Sequence, residues 1–195
     1  MGKIFCMMGK SSSGKDTLYQ QILDYEGLLL KSIVLYTTRP IRSGEKDGKE
    51  YIFADEDMLA RLTEAGKVIE CRSYHTVHGV WKYFTVNDGQ IDLTRQNYLT
   101  IATLESYLKI RDYFGEDFVM PIYIEVEDGV RLRRALEREE AQSNPRYAEM
   151  CRRFLADMVD FSEEKLAAAG ITKRFFNEDL DEVRREITAY IRKFI

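Results

Sequence analysis

The sequence predicts an α/β fold: a parallel sheet covered by helices, with an inserted β-rich lobe and a helical lid. Three observations carry this expectation. Apolar strand-like runs alternate with amphipathic helical stretches at both ends of the chain, the pattern that builds parallel sheets. An aromatic, β-rich segment between residues 37 and 96 interrupts that alternation. The first strand also runs into a glycine-containing turn that opens a helix, GKSSSGKDT over Gly9–Thr17.

Taken in order, KIFCMM (Lys3–Met8) is short, apolar and closed by Gly9, as a buried strand would be. Leu18, Ile22 and Tyr25 then fall at helical spacing and mark one face of a first helix. SIVLY (Ser32–Tyr36) is β-branched and reads as one strand, and YIF (Tyr51–Phe53) as a short one. Asp55 is placed to cap a helix carrying Met58, Leu59 and Leu62 and ended by Gly66. Strand-like sequence follows over residues 67–86, with a turn signal at Asp88-Gly89. YLTIAT (Tyr98–Thr103) and FVMPIYIEV (Phe118–Val126) are two more strands, separated by a helix ending near Gly115. Helices are expected over Asp128–Glu140 and Arg146–Ala169, a last strand over Ile171–Asn177, and a final helix with Leu180, Val183, Ile187 and Ile191 on one face.

Composition narrows the function. A length of 195 residues suits one core with a small inserted lobe. The net charge of −4 argues against a general nucleic-acid binder, so any nucleotide handled here is a small molecule held by local Arg and Lys. Cys6, Cys71 and Cys151 are far apart and lack C-x-x-C spacing, as expected of reduced thiols in a cytoplasmic protein. No apolar run is long enough to span a membrane, and no signal-peptide pattern precedes the first strand. His75 and His78 have no Cys or acidic partner at metal-ligand spacing.

Gly9–Thr17 matches the start of a phosphate-binding P-loop, Gly-x-x-x-x-Gly-Lys, between a strand and a helix where such a loop must sit. Glycines let the backbone curl around phosphate, and the N–H groups of Ser11, Ser12, Ser13 and Gly14 form an anion cradle at the helix N-terminus. Lys15 would reach the β- and γ-phosphates. The next position usually offers a hydroxyl to Mg²⁺, yet here it is Asp16, followed by Thr17. Two roles are open to Asp16. A carboxylate in the first turn complements the helix dipole, by about 0.3–1 kcal/mol. It is also a natural Mg²⁺ partner alongside substrate phosphates.

TTRPIRSGEKDGKEYIF (Thr37–Phe53) concentrates Arg39, Arg42, Lys46, Lys49 and Tyr51 in one loop-rich stretch, which suits either a solvated loop or a monophosphate held by arginine forks. This stretch resembles the guanylate kinase signature TTR-x-x-R-x-G-E-x-x-G-x-x-Y-x-F, matched by Thr37, Thr38, Arg39, Arg42, Gly44, Glu45, Gly48, Tyr51 and Phe53. The resemblance implies a P-loop nucleoside monophosphate kinase core (residues 1–36, 97–126 and 171–195), a GMP-binding lobe (37–96) and a lid (127–153). It implies ATP-dependent, Mg²⁺-assisted phosphorylation of GMP or dGMP by a monomer or homodimer. Arg39, Arg42 and Tyr51 would hold the GMP phosphate, with Glu45 orienting the arginines. Glu70 would read guanine, and Tyr83 and Thr85 in GVWKYFT would contact phosphate and base. Trp81, Tyr83 and Phe84 suit a strand core equally well. Asn177 would lie near adenine. Another phosphorylated acceptor, or a non-catalytic protein-binding module on the same fold, are the alternatives.

In VRLRRALEREE, Arg131, Arg134 and Arg138 share a helix face, and Arg152 and Arg153 follow on a second helix. Their surroundings are acidic, as on a solvated helix. The resemblance instead assigns Arg134, Arg138 and Arg153 to the transferring phosphoryl group, with Arg152 as alternate. The chain also departs from the family. Leu35 stands where the family has a base-contacting Ser, and Thr100 and Ala102 stand at two Asp positions. Asp16 would then replace a metal-supporting carboxylate missing at Thr100.

Overall fold

The computed structural model describes residues 1–76 and 79–195. A five-stranded sheet has the order β2-β7-β1-β8-β9. Its strands are β1 (Ile4–Gly9), β2 (Leu30–Ser32), β7 (Asn97–Ile101), β8 (Val119–Glu125) and β9 (Arg174–Phe176), and every pairing is parallel. β1 is central and buried on both faces, which is why IFCMM (Ile4–Met8) is continuously apolar rather than alternating. Phe5 and Met7 face one layer, packed with Leu18 and Ile22 of α1 (Lys15–Leu23) and with Val183, Ile187 and Ile191 of α7 (Leu180–Ile191). Ile4, Cys6 and Met8 face the other, with Tyr107 and Ile110 of α3 (Leu104–Phe114) and Leu166 of α6 (Glu163–Ala168).

A second, four-stranded sheet has the order β4-β3-β6-β5, from β3 (Tyr36–Thr37), β4 (Ile52–Phe53), β5 (Val68–Thr76) and β6 (Gly79–Val86). β5 and β6 pair antiparallel, with an irregularity between Val68 and Glu70. One face of this sheet buries Tyr36, Phe84 and Val86 under Leu59 of α2 (Glu56–Glu64), capped by Asp55 through the Met58 N–H. Register places Glu70 opposite Thr85, Arg72 opposite Tyr83 and Thr37 opposite Tyr83. By the two-residue period of a strand, these side chains share the other face. Of the aromatic run in GVWKYFT, Phe84 therefore goes to the lobe core while Trp81 and Tyr83 go to the open face.

Two expected elements are divided. SIVLY is not one strand: β2 ends at Ser32 in the parallel sheet, and the chain joins the second sheet only at Tyr36. The expected 146–169 helix breaks into α5 (Tyr147–Asp160) and α6, where Ser162 caps the new helix by accepting from Lys165 N–H. The last strand is shorter than Ile171–Asn177, and α1 ends before Tyr25. α4 (Asp128–Glu140) has the expected bounds. The cysteines are free thiols, and no helix among the described residues is long and apolar enough to cross a membrane. His78 lies outside the described residues; His75 is exposed on β5.

Candidate functional site

The Gly9–Thr17 turn leaves the carboxyl end of β1, where open parallel sheets bind ligands. Two glycines are required there. Gly14 has φ 82°, and a Cβ would lie 2.5 Å from Asn177 Nδ2; one on Gly9 would lie 2.8 Å from the Ile124 carbonyl oxygen. Gly14 is also the N-cap of α1 and supplies no side-chain cap, so the first turn keeps free N–H groups for an anion. Ser12 and Ser13 present buried hydroxyls with no hydrogen-bond partner among the described residues. Orphaned polar atoms beside a bare helix N-terminus fit a bound phosphate.

A cleft of about 480 Å³ opens on this turn. Lys15, Asp16 and Thr17 line it from α1, Arg134 and Arg138 from α4, and Asn177 from the end of β9. Lys15 Nζ stands 3.5 Å from Asp16 Oδ1, and the Asp16 side chain is 78% exposed at the cleft mouth. Asn177 donates to the Ser13 carbonyl at 2.8 Å, so the loop and β9 are tied together. Arg153 is not brought here: it and Arg152 both bind Glu149, at 2.9 and 2.7 Å, on the exposed side of α5. Ser11 is also turned away from the cleft. Its N–H donates to Asp157 Oδ2 at 2.7 Å, and its carbonyl accepts from Arg131 Nη1 at 3.0 Å.

Arg131 is thereby separated from the arginines it joins in sequence. It is 1% exposed, bridges Asp128 at 2.6 Å and Asp157 at 3.6 Å, and lies over the Phe154 ring at 4.7 Å. Sequence reasoning missed this clamp because its partners come from three separate segments. Only the Asp128–Arg131 spacing of three residues was visible as a signal.

The second group of expected site residues lies on the open face of the smaller sheet. Arg39 is buried, pairs bidentately with Glu45 at 2.6 and 2.7 Å, and stacks against Tyr51 and Phe53 at 4.9 and 5.3 Å. Glu45 also accepts from the Arg42 N–H at 2.8 Å, which fixes the loop between the two arginines. Arg42 itself extends over Trp81 at 5.9 Å, and Tyr51 packs edge-on against Tyr83. Glu70, with its side chain fully buried, accepts from Thr85 Oγ1 at 2.7 Å and from Arg72 Nε at 2.9 Å. Arg72 was not among the expected residues; its place two residues after Glu70, on the same strand face, was the available clue. Leu35 packs on the main core, and Thr100 and Ala102 are buried near the carboxyl end of β7. Neither position supplies a carboxylate.

Two expectations follow. Arg131→Ala leaves Asp157 and Asp128 without their shared cation. It should cost about 3 kcal/mol, at the low end for breaking a buried pair because Asp128 is partly solvated. For a chain of this size that is a fall in Tm of roughly 6–12 °C, read by thermal denaturation. Glu45 is held by the Arg39 guanidinium, with help from the Arg42 N–H, so that its pKa falls from 4.5 to about 2. A folded pKa below the unfolded one stabilises fully above about pH 4.5 and is lost as pH falls toward 2. The stability difference between wild type and Glu45→Gln, from urea denaturation at stepped pH, should therefore shrink through that window.

Comparison with known proteins identifies the lineage. The guanylate kinase family model matches residues 1–83. A guanylate kinase of Bordetella pertussis is 37% identical over 104 residues, which cover 53% of this chain and 46% of that protein. The chain thus matches about half the length of that relative. A guanylate kinase of Prochlorococcus marinus is 32% identical over 153 residues, covering 72% of this chain and 74% of its own. In fold, the crystal structure of guanylate kinase from Anaplasma phagocytophilum superposes with a TM-score of 0.67 at 20% identity, covering 98% of this chain and 85% of that one. With a P-loop, the Thr37–Phe53 signature and these relatives in agreement, the chain belongs to the guanylate kinase family.

Proposed function

We propose that this protein is an ATP-dependent nucleoside monophosphate kinase that converts GMP or dGMP to the diphosphate. The observation that carries this reading is the pairing of two sites. One is a phosphate cradle with orphaned Ser12 and Ser13 hydroxyls; the other is an Arg–Tyr face on the smaller sheet. In this reading residues 1–36, 97–126 and 171–195 form the core, 37–96 the acceptor lobe and 127–153 the lid.

ATP would lie along Gly9–Thr17, with Lys15 at the β/γ-phosphates and its base toward Asn177. The acceptor phosphate would meet Arg39, Arg42, Tyr51 and Tyr83, with its base toward Glu70 and Thr85. Its oxygen attacks the γ-phosphorus in line and ADP leaves. An ionised phosphate is already a nucleophile, so no covalent enzyme intermediate is required. Arg134 and Arg138 line the donor cleft and would neutralise charge on the transferred group, the largest protein contribution to such a reaction. Arg153 would take part only by leaving Glu149.

Among the described residues no cluster of three or more His, Cys, Asp or Glu could hold a metal unaided. That fits Mg²⁺, which keeps most of its waters and binds through one or two carboxylates plus substrate phosphates. Asp16, exposed at the cleft mouth beside Lys15, is the proposed carboxylate. When bound, the ion would neutralise phosphate charge.

The reading is tested by coupled ADP release with ATP, Mg²⁺ and each of GMP, dGMP, AMP, CMP, UMP and dTMP. Turnover with the guanine nucleotides is expected; no release with any acceptor rejects kinase activity. Asp16→Ser should raise the Mg²⁺ concentration for half-maximal rate several-fold. An unchanged Mg²⁺ titration would remove Asp16 from the metal site.

A further inference from the structure

Glu70 is not a free carboxylate waiting for a base. Its side chain is 0% exposed and that of Arg72 11%. Oε2 accepts from Arg72 Nε at 2.9 Å, while Oε1 accepts from Thr85 Oγ1 at 2.7 Å and from Arg72 Nη2 at 3.4 Å. A carboxylate offers about four acceptor sites. Three are taken, and the charge is neutralised by the arginine.

Guanine's Watson–Crick edge presents two donors, N1–H and the 2-amino group. A paired Glu70 has room for one of them. A second carboxylate could have taken the other, but Thr100 in β7 of the main sheet and Ala102 just after it supply none, and among the described residues Thr100 Oγ1 donates to the Ile101 carbonyl at 3.5 Å. Arg72, in contrast, spends only the Nε/Nη2 edge of its fork on Glu70. Nη1 makes no hydrogen bond among the described residues. The outer edge of the guanidinium, Nη1 with the second Nη2 proton, is a two-donor fork of the kind that matches O6 and N7 of guanine.

We infer that Arg72 is a specificity-determining residue of the acceptor site. It donates to the O6/N7 edge of a 6-oxopurine nucleoside monophosphate, while Glu70 positions it. This rests on the kinase reading above and sharpens its substrate class. Adenine offers an acceptor at N7 but a donor at the 6-amino group, so it leaves one arginine N–H facing another donor. Uracil and thymine offer one carbonyl on that edge, and cytosine a donor. The 2-amino group of guanine has no dedicated partner, so hypoxanthine should be accepted as well. The same ion pair that keeps Glu70 buried without cost to an unpaired charge thereby moves recognition from the N1/N2 side of the purine to the O6/N7 side.

The test is steady-state kinetics with GMP, IMP, AMP and UMP on wild type, Arg72→Ala and Arg72→Lys, alongside KM for ATP. Expected in wild type is kcat/KM for IMP within about tenfold of GMP, and AMP at least a hundredfold lower. Arg72→Ala should raise KM for GMP and IMP at least tenfold, leave KM for ATP unchanged and narrow the gap to AMP, with Arg72→Lys restoring part of the loss. If Arg72 merely silences Glu70, the sign reverses: Arg72→Ala frees the carboxylate, KM for GMP falls and IMP drops far behind. That result overturns the inference and leaves the kinase reading intact, as does a wild-type preference for GMP over IMP above a hundredfold. No turnover with any acceptor overturns both. Should Arg72→Ala fail to fold, the wild-type GMP-to-IMP ratio decides alone.

Discussion

A loop that curls around an anion exposes its own carbonyls and amides, and those polar groups must be satisfied from outside the loop. Three such partners come from the second half of the chain. Asn177 takes the Ser13 carbonyl, Arg131 takes the Ser11 carbonyl and Asp157 takes the Ser11 N–H. Everything at the donor site depends on this arrangement. β9, α4 and α5 each contribute one hydrogen bond to a turn that the first fifteen residues begin but cannot finish. The bond partners are separated by 164, 120 and 146 residues, so the Gly9–Thr17 turn is completed only when the C-terminal segments have docked.

The same dependence explains where α4 sits. Arg131 anchors its first turn, held between Asp128, Asp157 and the face of Phe154. One turn later, Arg134 reaches toward the Asn177 carbonyl at 3.5 Å, and Arg138 follows along the cleft. A buried arginine at the base of the helix is costly unless paired, and the pairing fixes the azimuth of the helix. That azimuth turns the later arginines toward the phosphate cradle. Arg131 thus acts on the site through the placement of its neighbours and of Ser11.

What the sequence revealed was governed by local rules, and what it concealed was decided between distant segments. The strand–turn–helix around Gly14, the Asp55 cap and the Thr37–Phe53 spacing are each written within a few residues. SIVLY was misread because Ile33 and Tyr36 are both buried, but in different cores: Ile33 under the parallel sheet, Tyr36 under α2. An apolar run looks the same whether it serves one core or two. Ser162 is a legible cap, followed by Glu163 and Glu164, yet apolar spacing on both sides carried the expected helix through it. Arg131, Arg134 and Arg138 share a face by periodicity, and no local pattern distinguishes the arginine that anchors from those that line the cleft. The Glu70–Arg72 pair lies on one strand face at a spacing of two. It was overlooked because a charged residue beside a carboxylate has no meaning until burial removes the water.

Burial also separates the two halves of the proposed reaction. On the donor side the charges stay wet: Asp16 is 78% exposed and Lys15 20%. A polyphosphate brings counter-ions of its own and needs affinity more than discrimination, so screened, mobile charges and free N–H groups serve it. On the acceptor side Arg39 and Glu70 are buried, and each has an ion-pair partner. Arg39, paired with Glu45, lies against the Tyr51 and Phe53 rings, and Glu70, paired with Arg72, also accepts from Thr85 Oγ1. A desolvated pair that keeps one edge open pre-sets its donors and penalises any ligand that fails to meet them, by the cost of a buried unsatisfied group, about 1–3 kcal/mol. In the proposed reaction, selection among acceptors would therefore fall to the smaller sheet. The P-loop would supply grip on a phosphate chain that it has no need to tell from another.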